Sequence, residues 1–149
     1  MSGPVDAAKA LLAHERLVER YGERVWPGRS DPLDELVLTI LSQSTTDHNS
    51  GMAYEALRRR FPTWQEVLDA PVEEVYAAIR PAGLGNIKAP RIQQVLRAVQ
   101  ERAGRLSLDH LDAMPLDEAR AWLTSLEGVG PKTGACVLMF ALGRPALPV

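Results

Sequence analysis

Residues 126–134 read "LEGVGPKTG", and the residue there whose type and place could do chemistry is Lys132. The stretch joins two segments of helical pattern, so Lys132 falls in the first turn of the second, where a cation opposes the helix dipole and an acid is the usual choice. Behind it runs the apolar "ACVLMF". An amine near a positive helix end and partly desolvated should have a lowered pKa, and a neutral amine is what attack on a carbonyl or a sugar C1 requires. Gly128 and Gly130 flank Val129, which predicts a turn with positive φ and no side chain to block close approach. N–H groups opening a helix would suit a phosphate. Two plainer readings stay open: glycine plus proline as a stop and a start between helices, and Lys132 as a surface point charge on phosphate.

The elements that must position this turn are helices. Apolar residues recur at three- and four-residue spacing, as in Leu33, Leu36, Val37, Ile40 and Leu41, and in Ile92, Val95, Leu96 and Val99. Start signals sit where these patterns begin: Ser30-Asp31-Pro32, Thr63 with Glu66 as a capping box, Pro90 in an opening turn, and Pro131 after the glycines. The pattern predicts helices near 6–21, 32–43, 46–60, 63–69, 72–79, 87–103, 116–125 and 131–142, with no period-2 strand. Short connections and the lack of repeats or low-complexity segments predict a single helical domain over residues 1–149, all-α in class.

Composition narrows the function. Seventeen Lys plus Arg against nineteen Asp plus Glu give a net charge of −2, so any nucleic-acid binding must come from a local patch. The one cysteine, Cys136, excludes an internal disulfide and cannot alone build a metal or iron–sulfur site. It fits a reducing compartment, so a cytoplasmic placement is expected. The longest apolar run, "ACVLMFAL", is too short to span a bilayer, and no membrane partner is expected. The closing "GRPALPV" stops on an apolar valine, which reads as an interrupted chain.

"LEGVGPKTGACVLMFALGRP" resembles the helix-hairpin-helix motif of the endonuclease III family of DNA glycosylases, here at 116–142. "ELVLTILSQSTTDHNS" (35–50) is similar to that family's early helix and its serine-glutamine-threonine-aspartate segment. "IRPAGLGNIKAPRIQQV" (79–95) is similar to its glycine-leucine loop and the helix that follows. The resemblance covers roughly residues 30–149 in order. It implies a helical-barrel glycosylase fold acting in base excision repair on duplex DNA that holds a damaged base or abasic site. It further implies a monomer associated with the nucleoid.

In residue terms the resemblance makes Lys132 the nucleophile that attacks C1′, expels the base and holds the sugar as a Schiff base until β-elimination nicks the strand. That is the bifunctional glycosylase and abasic-site lyase type, with oxidised pyrimidines as the default substrate and mismatched thymine or another lesion as the alternatives. Gly128, Val129, Gly130 and Thr133 would line the phosphate contact. Leu84 matches the family's leucine wedge, and the second wedge falls on Ser44 or on Gln43 before it, because the usual glutamine position holds Ser44. Lys88, Lys132 and Arg58-Arg59-Arg60 are candidates for local positive charge, a solvated helix face being the plainer reading of the arginines. Asp47 is expected to cap the helix that begins there. His48 is read as a helix-surface histidine, and the three tryptophans, Trp26, Trp64 and Trp122, as core or boundary residues. No metal ligand set is seen.

The family's activating aspartate follows a valine that Val149 matches, and its four-cysteine iron–sulfur loop lies further on. The expectation is therefore no cofactor in this chain, a possible 4Fe-4S cluster in a longer protein, and little or no glycosylase activity for this chain alone. The rival readings are a non-catalytic helix-hairpin-helix module that grips the DNA backbone and a plain helical interaction domain.

Overall fold

A computed structural model describes residues 6–25 and 28–147; Trp26 lies outside the described residues. Among the described residues eight α-helices follow in order: α1 Ala7–Tyr21, α2 Pro32–Ser42, α3 Asp47–Arg60, α4 Trp64–Asp69, α5 Val72–Ala78, α6 Gly85–Ala103, α7 Leu116–Thr124 and α8 Pro131–Cys136. No strand occurs among the described residues. The fold is all-α, as the three- and four-residue apolar spacing predicts.

The helix starts follow from local chemistry. Asp31 accepts from the N–H groups of Leu33 and Asp34, with Pro32 at the first helical position of α2. Thr63 and Glu66 form the reciprocal capping box of α4. Two starts differ from the sequence reading. Thr46, not Asp47, caps α3 by accepting from the Asn49 N–H, and Asp47 is the first helical residue. The longest helix, α6, opens at Gly85, so Pro90 lies inside it and not in its first turn.

Two further pieces carried no periodic signal. Short 3-10 turns occupy Arg80–Ala82 and Asp109–Ala113, each too brief to show a repeat. Past Cys136 the helix widens into a π-helical segment, Val137–Ala141.

Most of α2 is buried: Leu33, Leu36, Val37, Ile40 and Leu41 belong to one core cluster. It packs against α3, α6, α8 and the π segment, while α4 and α5 pack on α6 and α7 packs on α8. By contrast α1 buries no side chain. No helix among the described residues is long and apolar enough to cross a membrane.

Helix ends are satisfied by long side chains from elsewhere. Gln93 of α6 donates from Nε2 to the carbonyls of Val67 and Ala70 at the end of α4, at 3.0 and 2.7 Å. Arg144 donates to Leu111 and Met114, which holds the stretch after the π segment against the second 3-10 turn. Trp64 is buried and donates from Nε1 to Asp34 at 2.9 Å, with the Arg58 guanidinium 4.2 Å from its ring centre. Arg60 pairs with Glu74. Arg58 is therefore engaged within the protein, while Arg59 and Arg60 are exposed on a solvated helix face, Arg60 in a surface ion pair. Trp122 is half-buried and meets the His110 ring edge-on at 4.7 Å.

Because Ile40 is fully buried in the core cluster, Ile40→Ala removes packing from the middle of the core. The expected loss is about 2–5 kcal/mol of unfolding free energy, read from urea denaturation.

Candidate functional site

The hairpin between α7 and α8 brings Lys132 to the wall of an open cleft of about 810 Å³. One wall is α2, through Glu35, Leu38, Thr39 and Ser42; the turn of Gln43 and Ser44 and the start of α3 continue it. The facing wall is Gly130, Pro131, Lys132, Thr133 and Cys136, with Phe140 of the π segment. Lys132, Thr133, Gly130, Gln43 and Ser44 are thus gathered from segments some ninety positions apart in the chain. Gly128, Val129, Leu84 and Lys88 do not line this cleft.

The hairpin is held from below. Val129 is 4% exposed and packs in the core, and Thr133, Gly134, Ala135 and Cys136 are buried. Lys132 itself is exposed. The apolar residues that follow it turn inward and cover the core, so they do not supply the desolvation of the amine that the sequence predicts.

The phosphate seat also differs from the sequence reading. Val129 donates its N–H to the Leu126 carbonyl at 3.0 Å, which removes it as a free donor. Gly128 has the predicted left-handed backbone at φ +87, but Gly130 is extended at φ −88 and serves as the residue before α8. The open donors are the N–H groups of Lys132 and Thr133 in the first turn of α8, which have no intrahelical acceptor. A Cβ on Gly130 would meet nothing within 4 Å, so it leaves clear space above those donors.

Two residues other than glycine have left-handed backbones among the described residues, Ser44 at φ +54 and Leu84 at φ +50. Such conformations cost about 1–2 kcal/mol each and concentrate at functional sites. They are two of the three candidate wedges. Leu84 is 49% exposed, with its side chain free of the core. Gln43 is half-buried, and its Oε1 accepts from Nη1 of Arg91 at 3.3 Å.

Lys88 is corrected by the structure. It is 1% exposed, and its ammonium donates to the carbonyls of Leu41 and Ala82 at 2.8 and 2.9 Å. Burial lowers its pKa. A side chain so enclosed cannot supply charge to a DNA surface.

Three cleft residues are not among those the sequence reading takes as site residues. Glu35, Thr39 and Ser42 lie at i, i+4 and i+7 and make a polar stripe down α2, a legible signal beside the apolar one. Burial raises the Glu35 pKa, against weaker opposing hydrogen bonds from Ser30 and Thr39. The Cys136 thiol is also pushed up by burial, with Lys132 pulling the other way. Arg91 of α6 carried no such signal: its stem lies under Gly128, where a Cβ would come within 3.2 Å of Arg91 Cδ, while its tip holds Gln43.

His48 is exposed on α3 and does not line the cleft. No group of three or more His, Cys, Asp or Glu residues that could hold a metal ion occurs among the described residues. A four-cysteine iron–sulfur cluster does not fit this chain, whose single cysteine is buried in the wall of the cleft.

Two outcomes follow. Gly128→Ala should lose about 1 kcal/mol or more in a denaturation midpoint, because alanine resists φ +87 and displaces the Arg91 stem. For Glu35, a folded pKa raised above 4.5 favours the protonated form in the native state. That contribution is complete below the unfolded pKa and lost as pH rises through the folded one. Glu35→Gln should therefore match wild type in Tm near pH 4 and exceed it at pH 7.

Comparison with known proteins places this geometry. The family model described as "HhH-GPD superfamily base excision DNA repair protein" matches residues 37–146. A protein of Arabidopsis thaliana described as a DNA glycosylase is 43% identical over 117 residues, which is 78% of this chain and 40% of the relative. Endonuclease III of Thermotoga maritima is 35% identical, covering 80% of this chain and 52% of the relative. The thymine/uracil-DNA glycosylase of Pyrobaculum aerophilum is 31% identical, with 95% and 58% covered. The chain spans about half the length of these relatives. In fold it is similar to a thermostable thymine-DNA glycosylase, with TM-score 0.74 and 24% identity over 95% of this chain and 62% of that one. It is similar in the same way to endonuclease III in a non-covalent DNA complex, with TM-score 0.74 and 23% identity over 97% and 64%. The matched model takes in most of the α2 wall, both left-handed turns and the hairpin with Lys132, and the chain belongs to the HhH-GPD superfamily of base excision DNA repair proteins.

Proposed function

We propose that this chain carries the base-removing half of a DNA glycosylase with abasic-site lyase activity, acting on duplex DNA that holds a damaged base or an abasic site. The observation that carries this reading is the exposed amine of Lys132 on the wall of a cleft that also presents two open backbone N–H groups. The cleft's size falls in the range of small-molecule sites, roughly 300–1,000 Å³, which admits one nucleotide turned out of the stack. The relatives act on DNA by name, as endonuclease III and as a thymine/uracil-DNA glycosylase.

In this reading the N–H groups of Lys132 and Thr133 hold a phosphate beside the lesion, and Leu84 with Gln43 or Ser44 fills the space the base leaves. The unprotonated Lys132 amine attacks C1′, and the glycosidic electron pair departs with the base. Opening of the sugar ring leaves a C1′–nitrogen Schiff base. Loss of a C2′ proton then breaks the C3′–oxygen bond, and water releases the amine. Glu35 and Asp47 are carboxylates on the same cleft and are available to take up protons. A damaged pyrimidine is the substrate class that this reading takes.

An exposed lysine beside open N–H groups also suits a module that only grips phosphate, and one assay separates the two. Incubated with abasic-site duplex and borohydride, the chain should form a covalent adduct, and Lys132→Ala should abolish it. Salt-sensitive binding with no adduct in wild type would establish the gripping module instead. Absence of both would remove DNA as the partner.

A further inference from the structure

The two left-handed turns are tied to one side chain. Leu41, whose carbonyl accepts from Lys88 Nζ, lies three residues before Ser44; Ala82, whose carbonyl accepts from the same ammonium, lies two before Leu84. The Lys88 backbone N–H donates to the Leu84 carbonyl as well, at 2.9 Å. Three bonds from one residue therefore span the end of α2, the 3-10 turn and the opening of α6.

A buried lysine is a poor choice for filling volume, since an aliphatic side chain does so without burying a charge. What an ammonium adds is donors for carbonyls at helix ends, where the dipole also favours a cation. Here those carbonyls belong to the two segments that carry the candidate wedges.

We propose that Lys88 is a positioning residue that joins the Ser44 turn and the Leu84 turn into one rigid unit and so sets the spacing of the side chains that enter the DNA. The proposal rests on the DNA reading above, and it predicts that loss of the ammonium harms recognition of a gap in the duplex more than backbone binding. A misplaced wedge cannot fill the gap, whereas the hairpin donors on α8 are untouched.

The test compares wild type with Lys88→Met and Lys88→Gln by fluorescence anisotropy on two duplexes, one undamaged and one with a tetrahydrofuran abasic-site analogue. Circular dichroism checks helicity. Lys88→Met should lose about tenfold of the preference for the abasic duplex while binding undamaged duplex within about twofold of wild type. Lys88→Gln keeps one donor and should fall between. Undiminished preference in folded Lys88→Met overturns the proposal, as does an equal loss on both duplexes.

Amide hydrogen exchange on the free protein supplies an arm that needs no DNA. In wild type the amides of residues 43–45 and 83–85 should open with one shared rate, and separate rates overturn the coupling even if neither variant folds. Wild type that shows no preference between the duplexes, with shared opening intact, counts against the DNA reading and not against the coupling.

Discussion

Short helices leave carbonyls without partners at every C-terminal end, and the packing of this protein depends on how those groups are satisfied inside the core. Three long side chains do it from a distance. Gln93 closes α4, Arg144 reaches the turn at Leu111 and Met114, and Lys88 closes α2 together with the 3-10 turn at Ala82. Each ties the end of one element to another, so the loops that follow are fixed by the core and not by their own length. An unpaired buried carbonyl costs about 1–3 kcal/mol, which makes such donors a condition of burying helix ends at all.

The cleft inherits its shape from this arrangement. The helix α2 is buried on its apolar sides and polar along one stripe, so a single element both anchors the core and lines the site with Glu35, Thr39 and Ser42. On the facing wall the hairpin works by the opposite division. Val129 and residues 133–138 are held in the core, and Gly130 and Lys132 are left outside. The lysine is thereby presented on a rigid support with its own side chain free.

Arg91 links the hairpin to the turn that follows α2. Its stem fills the space that glycine leaves at position 128, and its guanidinium holds Gln43. The left-handed turn at Gly128 is thus a packing requirement as well as a backbone one. Similarly, the left-handed turns at Ser44 and Leu84 each follow a carbonyl bonded to the buried Lys88 ammonium.

The amino-acid sequence by itself determined the helical class, most helix starts, and the place of Lys132 at the mouth of a glycine hairpin. These are local matters: caps such as Asp31 and Thr63, apolar spacing, and glycine and proline punctuation act within a turn or two of chain. It did not show which cations face outward. Lys88 and Lys132 each open a helix after glycine, yet one is enclosed and the other exposed. Only the tertiary structure decided that, because the carbonyl of Leu41 lies 47 residues from Lys88 in the chain. The same holds for the Arg91 bond to Gln43, 48 residues apart. A long side chain's role is set by which acceptor lies within about 3 Å of its tip, and that acceptor is brought there by the packing of helices that sequence spacing does not orient.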